Sequence, residues 1–337
     1  MGDASIVAER SAGPATAEGR TPVSLAALLA NLGPLLALLL AMAFFASRSD
    51  RFLTGANLSL VIQQSMVVGV LAIGQTLIIL TAGIDLSCGA IMALGGVVMA
   101  RLAVINGVHP ILAIALGVLT GAAFGALNGV LVTNIQLPPF IVTLGTLNIA
   151  FAITHIYSQN QTITNVPAAL TFFGNTFRVG STAITYGTVL MFVLFGLTWF
   201  VLRYTAFGRH VYAVGNNPEA VRLAGININL LLLLVYTAAG LLYGIASLLS
   251  VARTGVGDPN AGQTDNLASI TAVVLGGTSL FGGRGKVLGT LVGVLIVGVF
   301  RNGLQLIGVE SVYQVLVTGI LVILAVTVDQ FARRRQQ

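Results

Sequence analysis

Residues 110–133 read PILAIALGVLTGAAFGALNGVLVT, an uninterrupted apolar run with no charged side chain. A bilayer core about 30 Å thick is crossed by about 20 helical residues, so this stretch is long enough to span it. Within it Gly117, Gly121, Gly125 and Gly129 recur every four residues and line one smooth helix face. In lipid, apolar burial does not drive helices together, and faces of small residues instead let backbones approach closely. The expected use of the ladder is packing inside one bundle, ahead of self-dimerisation. Shorter echoes stand at Gly240 and Gly244 and at Gly289 and Gly293.

The rest of the 337 residues has the same character. Hydrophobic residues make up 56%, charged residues only 8%, and mean hydropathy is +0.96, whereas soluble domains carry about 25% charged residues. A soluble enzyme, a disordered chain and a nucleic-acid binder are excluded. Charge-free intervals, divided where Pro, Asn and Gly cluster, give ten spans near 27–47, 57–82, 87–105, 110–133, 139–157, 184–204, 229–251, 266–281, 286–303 and 311–331. The eighth is short and Gly-rich, so its complete crossing is left open against a re-entrant path. The expected fold is an all-α polytopic transmembrane bundle.

Of the 16 basic residues only Lys286 is lysine, and most lie near the ends of apolar runs. An even number of spans puts both termini on one side. The positive-inside rule then makes that side cytoplasmic, with ten basic residues inside and Arg48, Arg51, Arg101, Arg178, Arg253 and Arg301 at the opposite face. The domain reading is a disordered cytoplasmic tail over 1–22, a transmembrane permease domain over 23–332 containing a cytoplasmic loop at 205–229, and a basic cytoplasmic tail over 333–337. No signal peptide is expected, because no basic cluster abuts a short apolar core ending in a cleavage site.

Several motifs fail. The only Gly-Lys pair, Gly285-Lys286, is followed by Val287, so no phosphate-binding loop is present. Gly255 to Asp258 reads GVGD, as in intramembrane aspartyl proteases, but Pro259-Asn260 follow, and a loop turn is the simpler account. A single cysteine, Cys88, with scattered histidines at 109, 155 and 210, excludes an internal disulfide and a Cys-cluster metal site. No cofactor is called for.

The polar loop TAFGRHVYAVGNNPEAVRLAGININ (205–229) encodes a short helix. Asn217 can cap it, Pro218 suits its first turn, Glu219 favours its positive end, and Gly225 supplies a left-handed stop. Such a helix beside Arg209, His210 and Arg222 suits a protein docking surface; its rival is an interfacial helix on lipid headgroups. Inside the spans the polar residues are mostly neutral, and Gln64, Gln75 and Asn148 are candidate contacts for an uncharged, hydroxyl-rich solute. Each has helix packing as its alternative. Asp85, at a span end, is a gate candidate with helix capping as its rival. Asp85 to Gly96 (DLSCGAIMALGG) also echoes Asp265 to Gly277 (DNLASITAVVLGG), and each leads to a helix ending in Asn-Gly; two related halves are one reading, and convergence of Gly/Ala/Leu-rich sequence is its rival.

Five segments then become recognisable. LTAGIDLS (80–87), GALNGVLV (125–132), LPPFIVTLGT (137–146), GRHVYAVGNNPEAVRLAGI (208–226) and AVVLGGTSLFGGRGKVLGT (272–290), the last leading to FRNGL (300–304), resemble in order the membrane subunit of ribose-type ABC sugar importers. The resemblance runs from about Phe52 to the C-terminus. It implies a multi-pass permease of the bacterial plasma (inner) membrane that pairs with a second permease subunit, itself in a homodimer or else a close relative, docks a cytoplasmic ATP-binding subunit and receives sugar from an extracytoplasmic binding protein. ATP hydrolysis belongs to the separate subunit, and this chain has no catalytic residues of its own. By the same resemblance Arg209, Asn217, Glu219, Arg222 and Gly225 take the ATPase-coupling role. GQTDNLASIT (262–271) departs from the Tyr-Glu-Leu-Asp form of many relatives and looks like the fructose branch. The rivals are a stand-alone channel or facilitator for a small neutral solute, and an intramembrane hydrolase.

The orientation is tested with single cysteines after Cys88→Ser. A cysteine at Asn216 or Gln337 should resist a membrane-impermeant thiol reagent in intact cells and react after permeabilisation; labelling in intact cells reverses the assignment.

Overall fold

The computed structural model describes residues 25–180 and 182–334; the expected tail at 1–22 and the end of the basic tail, 335–337, lie outside them. Contacts divide the chain into Met1–Gly33 and Pro34–Gln337, and of the first unit only the opening turns of one helix are described. In chain order the helices are α1 (Leu25–Arg48), α2 (Gly55–Leu80), α3 (Cys88–Val104), α4 (Pro110–Thr133), α5 (Pro139–Ser158), a one-turn α6 (Ala168–Thr171), α7 (Tyr186–Tyr204), α8 (Ala206–Asn216), α9 (Pro218–Leu223), α10 (Ile228–Thr254), α11 (Asp265–Leu275), α12 (Val287–Leu306) and α13 (Ser311–Arg334). A two-stranded antiparallel hairpin, β1 (Thr176–Val179) and β2 (Thr182–Thr185), precedes α7.

Local chemistry sets the boundaries. Pro110 and Pro139 open α4 and α5, where a missing N–H costs nothing. Asn227 caps α10 by accepting from the Leu230 N–H at 3.0 Å, and Gly255 ends it at φ +73°. Six helices (α2, α4, α5, α7, α10 and α12) are long and apolar enough to cross a membrane, and shorter apolar stretches in α1, α3, α11 and α13 occupy the other four expected positions.

The differences lie between and within those spans. Residues 184 and 185, expected to open the sixth span, belong to strand β2, because Thr185 caps the helix that starts at Tyr186. The 205–229 loop holds two helices, α8 as well as α9; Thr205 accepts from the Gly208 N–H at 3.2 Å, a cap not read from the sequence. The eighth span contains only eleven helical residues, about 16 Å at 1.5 Å per residue.

Cross-chain contacts sort the loops into two ends. At the hairpin end Gly55 meets Thr182, Ile163 exchanges backbone hydrogen bonds with Gly257, and Arg101 donates to the Tyr157 carbonyl. At the other, coupling end, the Gly283 N–H donates to the Leu80 carbonyl at 2.9 Å, and Tyr212 in α8 donates to the Gly285 carbonyl at 3.0 Å. The chain passes from Gly257 at one end to Gly283 at the other, so the eighth segment does cross: residues 255–264 cover the first part without helix and α11 the remainder. Residues 81–87 with α3 do the same in the opposite direction. The echoing sequences therefore lie in segments that cross in opposite senses, the relation of an inverted repeat. Arg203, Arg209, Arg222, Arg284 and Lys286 gather at the coupling end, whereas Arg48, Arg51, Arg101 and Arg178 gather at the hairpin end, with Arg253 in the last turn of α10 and Arg301 in the second half of α12 on that side.

The glycine ladder packs inside the chain. A Cβ on Gly121 would lie 2.5 Å from the Gly240 carbonyl oxygen, and one on Gly125 would strike the Tyr236 carbonyl, so α4 and α10 touch backbone to backbone. Gly117 abuts Gly95 and Met99 of α3, and Gly129 abuts Leu233 of α10. Around this seam α2, α3 and α10 form the core, with Met66, Leu71, Ile73, Ile91, Tyr236 and Tyr243 fully buried. Gly121→Leu should lower the thermal stability of the purified chain by about 3 kcal/mol or more, the upper range for overpacking. Gly145→Leu, where nothing lies within 4 Å, is the control, and a melting curve for each decides it.

Candidate transport site and coupling surface

At the coupling end α9 is built as its sequence requires. Asn217 Oδ1 accepts from the Ala220 N–H at 3.1 Å, Pro218 takes the first position, and Gly225 stands at φ +81° just past the end. Glu219 and Arg222 pair at 2.7 Å on the exposed face, a surface contact that adds little stability. Of residues 216–225 only Val221 is buried, and Leu223 is 86% exposed. Arg209 is exposed on α8, so all five proposed coupling residues share one solvent-facing end. α8 turns Gly208, Val211 and Val214 inward, and burial raises the Tyr212 phenol above its ordinary value, which keeps it a neutral donor to Gly285.

Toward the hairpin end a cavity of about 320 Å3 opens beneath residues 254–265, within the size range of small-ligand sites. Arg253, Asp258, Asn260, Gln263, Asp265 and Arg301 line it. Asp265 is buried at the start of α11 and lies 3.6 Å from Arg301. Asp258 Oδ1 accepts from the Asn260 N–H at 2.9 Å, and Gln263 donates to Asn260 Oδ1 at 3.1 Å, so the GVGD stretch forms a loop turn at the cavity wall. With two arginines, two aspartates and neutral amides, this wall offers donors and acceptors in balance, which suits hydroxyl groups.

The sequence-derived pathway candidates part company here. Gln64 does not line the cavity: its backbone carbonyl accepts from the cavity residue Arg253 at 3.5 Å, and its side-chain oxygen is buried without a partner. Gln75 and Asp85 meet elsewhere, in a buried network. Gln75 donates to the Asp85 carbonyl and to Cys88 Sγ (3.3 Å), while Asp85 Oδ1 accepts from the Ser87 N–H at 2.7 Å and the Ser87 hydroxyl at 2.5 Å. Asn148 joins neither group; it lies exposed on α5 and donates to the Leu144 carbonyl at 3.0 Å. The charged cavity residues Arg253, Asp258 and Arg301 escape a reading of the sequence because each sits near a span end, where anchoring or a turn explains the charge equally well, and Gln263 because a neutral amide in a loop carries no signal of its own. GQTDNL carries Gln263 together with Asp265, and GVGD carries Asp258.

Comparison with known proteins places the architecture. The family described as "Branched-chain amino acid transport system / permease component" matches residues 57–326. The fructose import permease of Rhizobium meliloti is 46% identical over 307 residues, covering 89% of this chain and 85% of the relative. The ribose import permease of Escherichia coli strain K12 is 40% identical over 297 residues, covering 88% and 92%. The D-allose transport system permease of the same strain is 36% identical over 316 residues, covering 93% and 96%. No solved structure matches the chain. With its helices, its two half-helical crossings and these matches over most of its length, the chain belongs to this permease family, as a multi-pass membrane subunit of the ribose-type ABC importer branch.

Proposed function

We propose that this chain carries a monosaccharide inward across a bacterial plasma membrane as the permease of an ATP-driven importer. The carrying observation is the α8–α9 platform, whose outer face, 216–225, is exposed apart from Val221 while its inner face rests on the ends of transmembrane segments. A short capped helix braced in this way moves as a rigid lever, whereas a plain connecting loop would absorb the push. In this reading the coupling end is cytoplasmic, both termini lie on that side, and Arg209, Asn217, Glu219, Arg222 and Gly225 form the seat of a separate ATP-binding subunit. The hairpin end faces an extracytoplasmic sugar-binding protein, and the 254–265 cavity is where sugar first meets the permease. A second copy of the chain completes the membrane unit as a homodimer, with lipid around it. The matched fructose and ribose permeases make those two sugars the first to test.

Three measurements check this reading. Uptake of a panel of labelled sugars should depend on both this chain and ATP; solute movement by the purified chain alone, or preference for amino acids over every sugar, overturns it. Gly225→Val places a β-branched residue at φ +81°, where no neighbouring atom obstructs it but the backbone is strained by about 1–2 kcal/mol. It should insert normally and lose sugar-stimulated ATP hydrolysis on the order of tenfold, and an unchanged stimulation removes α9 from the coupling route. Asp265→Asn keeps volume but abolishes the attraction to Arg301. It should raise the KM for sugar uptake several-fold with the complex still assembled, as read by uptake kinetics alongside size-exclusion chromatography.

A further inference from the structure

The strongest unassigned feature is the backbone of residues 81–87. It is non-helical, lies between α2 and α3, and is buried at Gly83, Asp85 and Ser87. In a membrane interior every freed carbonyl needs a donor, because no lipid can supply one. Here three successive carbonyls are each held by a side chain from a different helix. Thr143 of α5 donates to the Ile84 carbonyl at 3.1 Å, Gln75 of α2 to that of Asp85, and Asn266 of α11 to that of Leu86 at 3.3 Å. A fourth helix joins through Asn128 of α4, which donates to Ser87 Oγ at 3.1 Å.

The opposite end of this segment touches the coupling platform. A Cβ on Gly215 of α8 would collide with the Leu80 carbonyl, and Gly282 packs against Ala82. Ala82 itself stands at φ +62°. The Gly83 and Ala82 N–H groups bond to the Ile78 and Ile79 carbonyls at 3.0 and 2.9 Å, a left-handed helix stop that normally takes glycine. The platform therefore bears on a strained stop, and the residues just beyond it are tied to α2, α4, α5 and α11.

We propose that residues 81–87 are the transmission element of the permease: displacement of α8 and α9 shifts Leu80–Ala82, and the side chains of Gln75, Asn128, Thr143 and Asn266 pass that shift to four helices. Asn266 lies next to Asp265, so the route ends at the wall of the hairpin-end cavity. Asp85 acts as a positioning residue, holding Ser87 in place for Asn128. The inference rests on the coupling role given to the platform, and its test is arranged so that each can fail alone.

Cys88, the only cysteine of the chain, is buried directly after the segment and reports on it. In full-length permease in phosphatidylethanolamine/phosphatidylglycerol nanodiscs, the rate of Cys88 alkylation by a small maleimide is measured without any partner. Gly215→Ala should speed it about tenfold by displacing the Leu80 carbonyl, and Thr143→Val should do so by freeing the Ile84 carbonyl. Gly145→Ala should match the wild type, and Thr143→Ser should restore the slow rate. Gly215→Ala and Thr143→Val both folded, with Cys88 as slow as in the wild type, overturn the relay. If Gly215→Ala does not fold, the nearly isosteric Thr143→Val decides alone. In the complex with the ATP-binding subunit, Thr143→Val should lower the ratio of sugar-stimulated to basal ATP hydrolysis while the basal rate stands, and an unchanged ratio also counts against the relay. A wild-type complex without sugar stimulation contradicts the proposed function, while the alkylation arm still decides the relay.

Discussion

A backbone carbonyl freed from its helix inside a membrane has no water to turn to, and that constraint shapes this molecule more than any other. Two crossings are part helix and part irregular chain, residues 81–104 and 255–275. The first stands because Thr143, Gln75 and Asn266 supply donors from three neighbouring helices. In the second, the irregular residues line a polar cavity, the other setting in which non-helical backbone persists at this depth. The half-helical character of these segments ties together their opposite senses, the convergence of α3 and α11, and the buried polar residues of the interior.

The same segments meet each other. A Cβ on Gly89, near the start of α3, would strike the Gly262 carbonyl just before α11, and Cys88 Sγ lies 3.7 Å from Ser269 Oγ. Such proximity is affordable only where side chains are absent or small, and glycine serves that end repeatedly: Gly121 against Gly240, and Gly293 against the Ala272 carbonyl. Close backbone approach increases van der Waals contact where apolar burial offers no drive. The low-charge, glycine-rich composition and the tight α4–α10 seam are two expressions of one physical requirement.

Polarity is arranged by depth and by end. The coupling end carries basic side chains and an exposed capped helix; the hairpin end carries the Asp265–Arg301 pair within a cavity wall of mixed charge. Between them the buried groups are mainly amides and hydroxyls, with Asp85 as the buried carboxylate of the central network. An interior of this kind imposes a smaller desolvation cost than one that holds paired ions, and it matches an uncharged polyol better than a cation.

The sequence alone determined the all-α class, the positions of the ten apolar segments, the capped helix at 218–223 and its left-handed stop at Gly225, because each depends on local chemistry: span length, a proline at the first turn, an asparagine cap, a glycine beyond the end. It also carried the family resemblance, in five ordered motifs. Only the tertiary structure decided that Gln64 meets Arg253 through its backbone carbonyl, that Gln75 and Asp85 share a buried network, and that Asn148 stands apart from both. It likewise turned the Asp85 and Asp265 echoes into segments crossing in opposite senses, and gave Arg253 and Arg301 a cavity to line. A side chain's partners come from helices scores of residues distant, as Thr143 does for Ile84, and the linear pattern of apolar and polar residues records which face a residue occupies without recording what stands opposite.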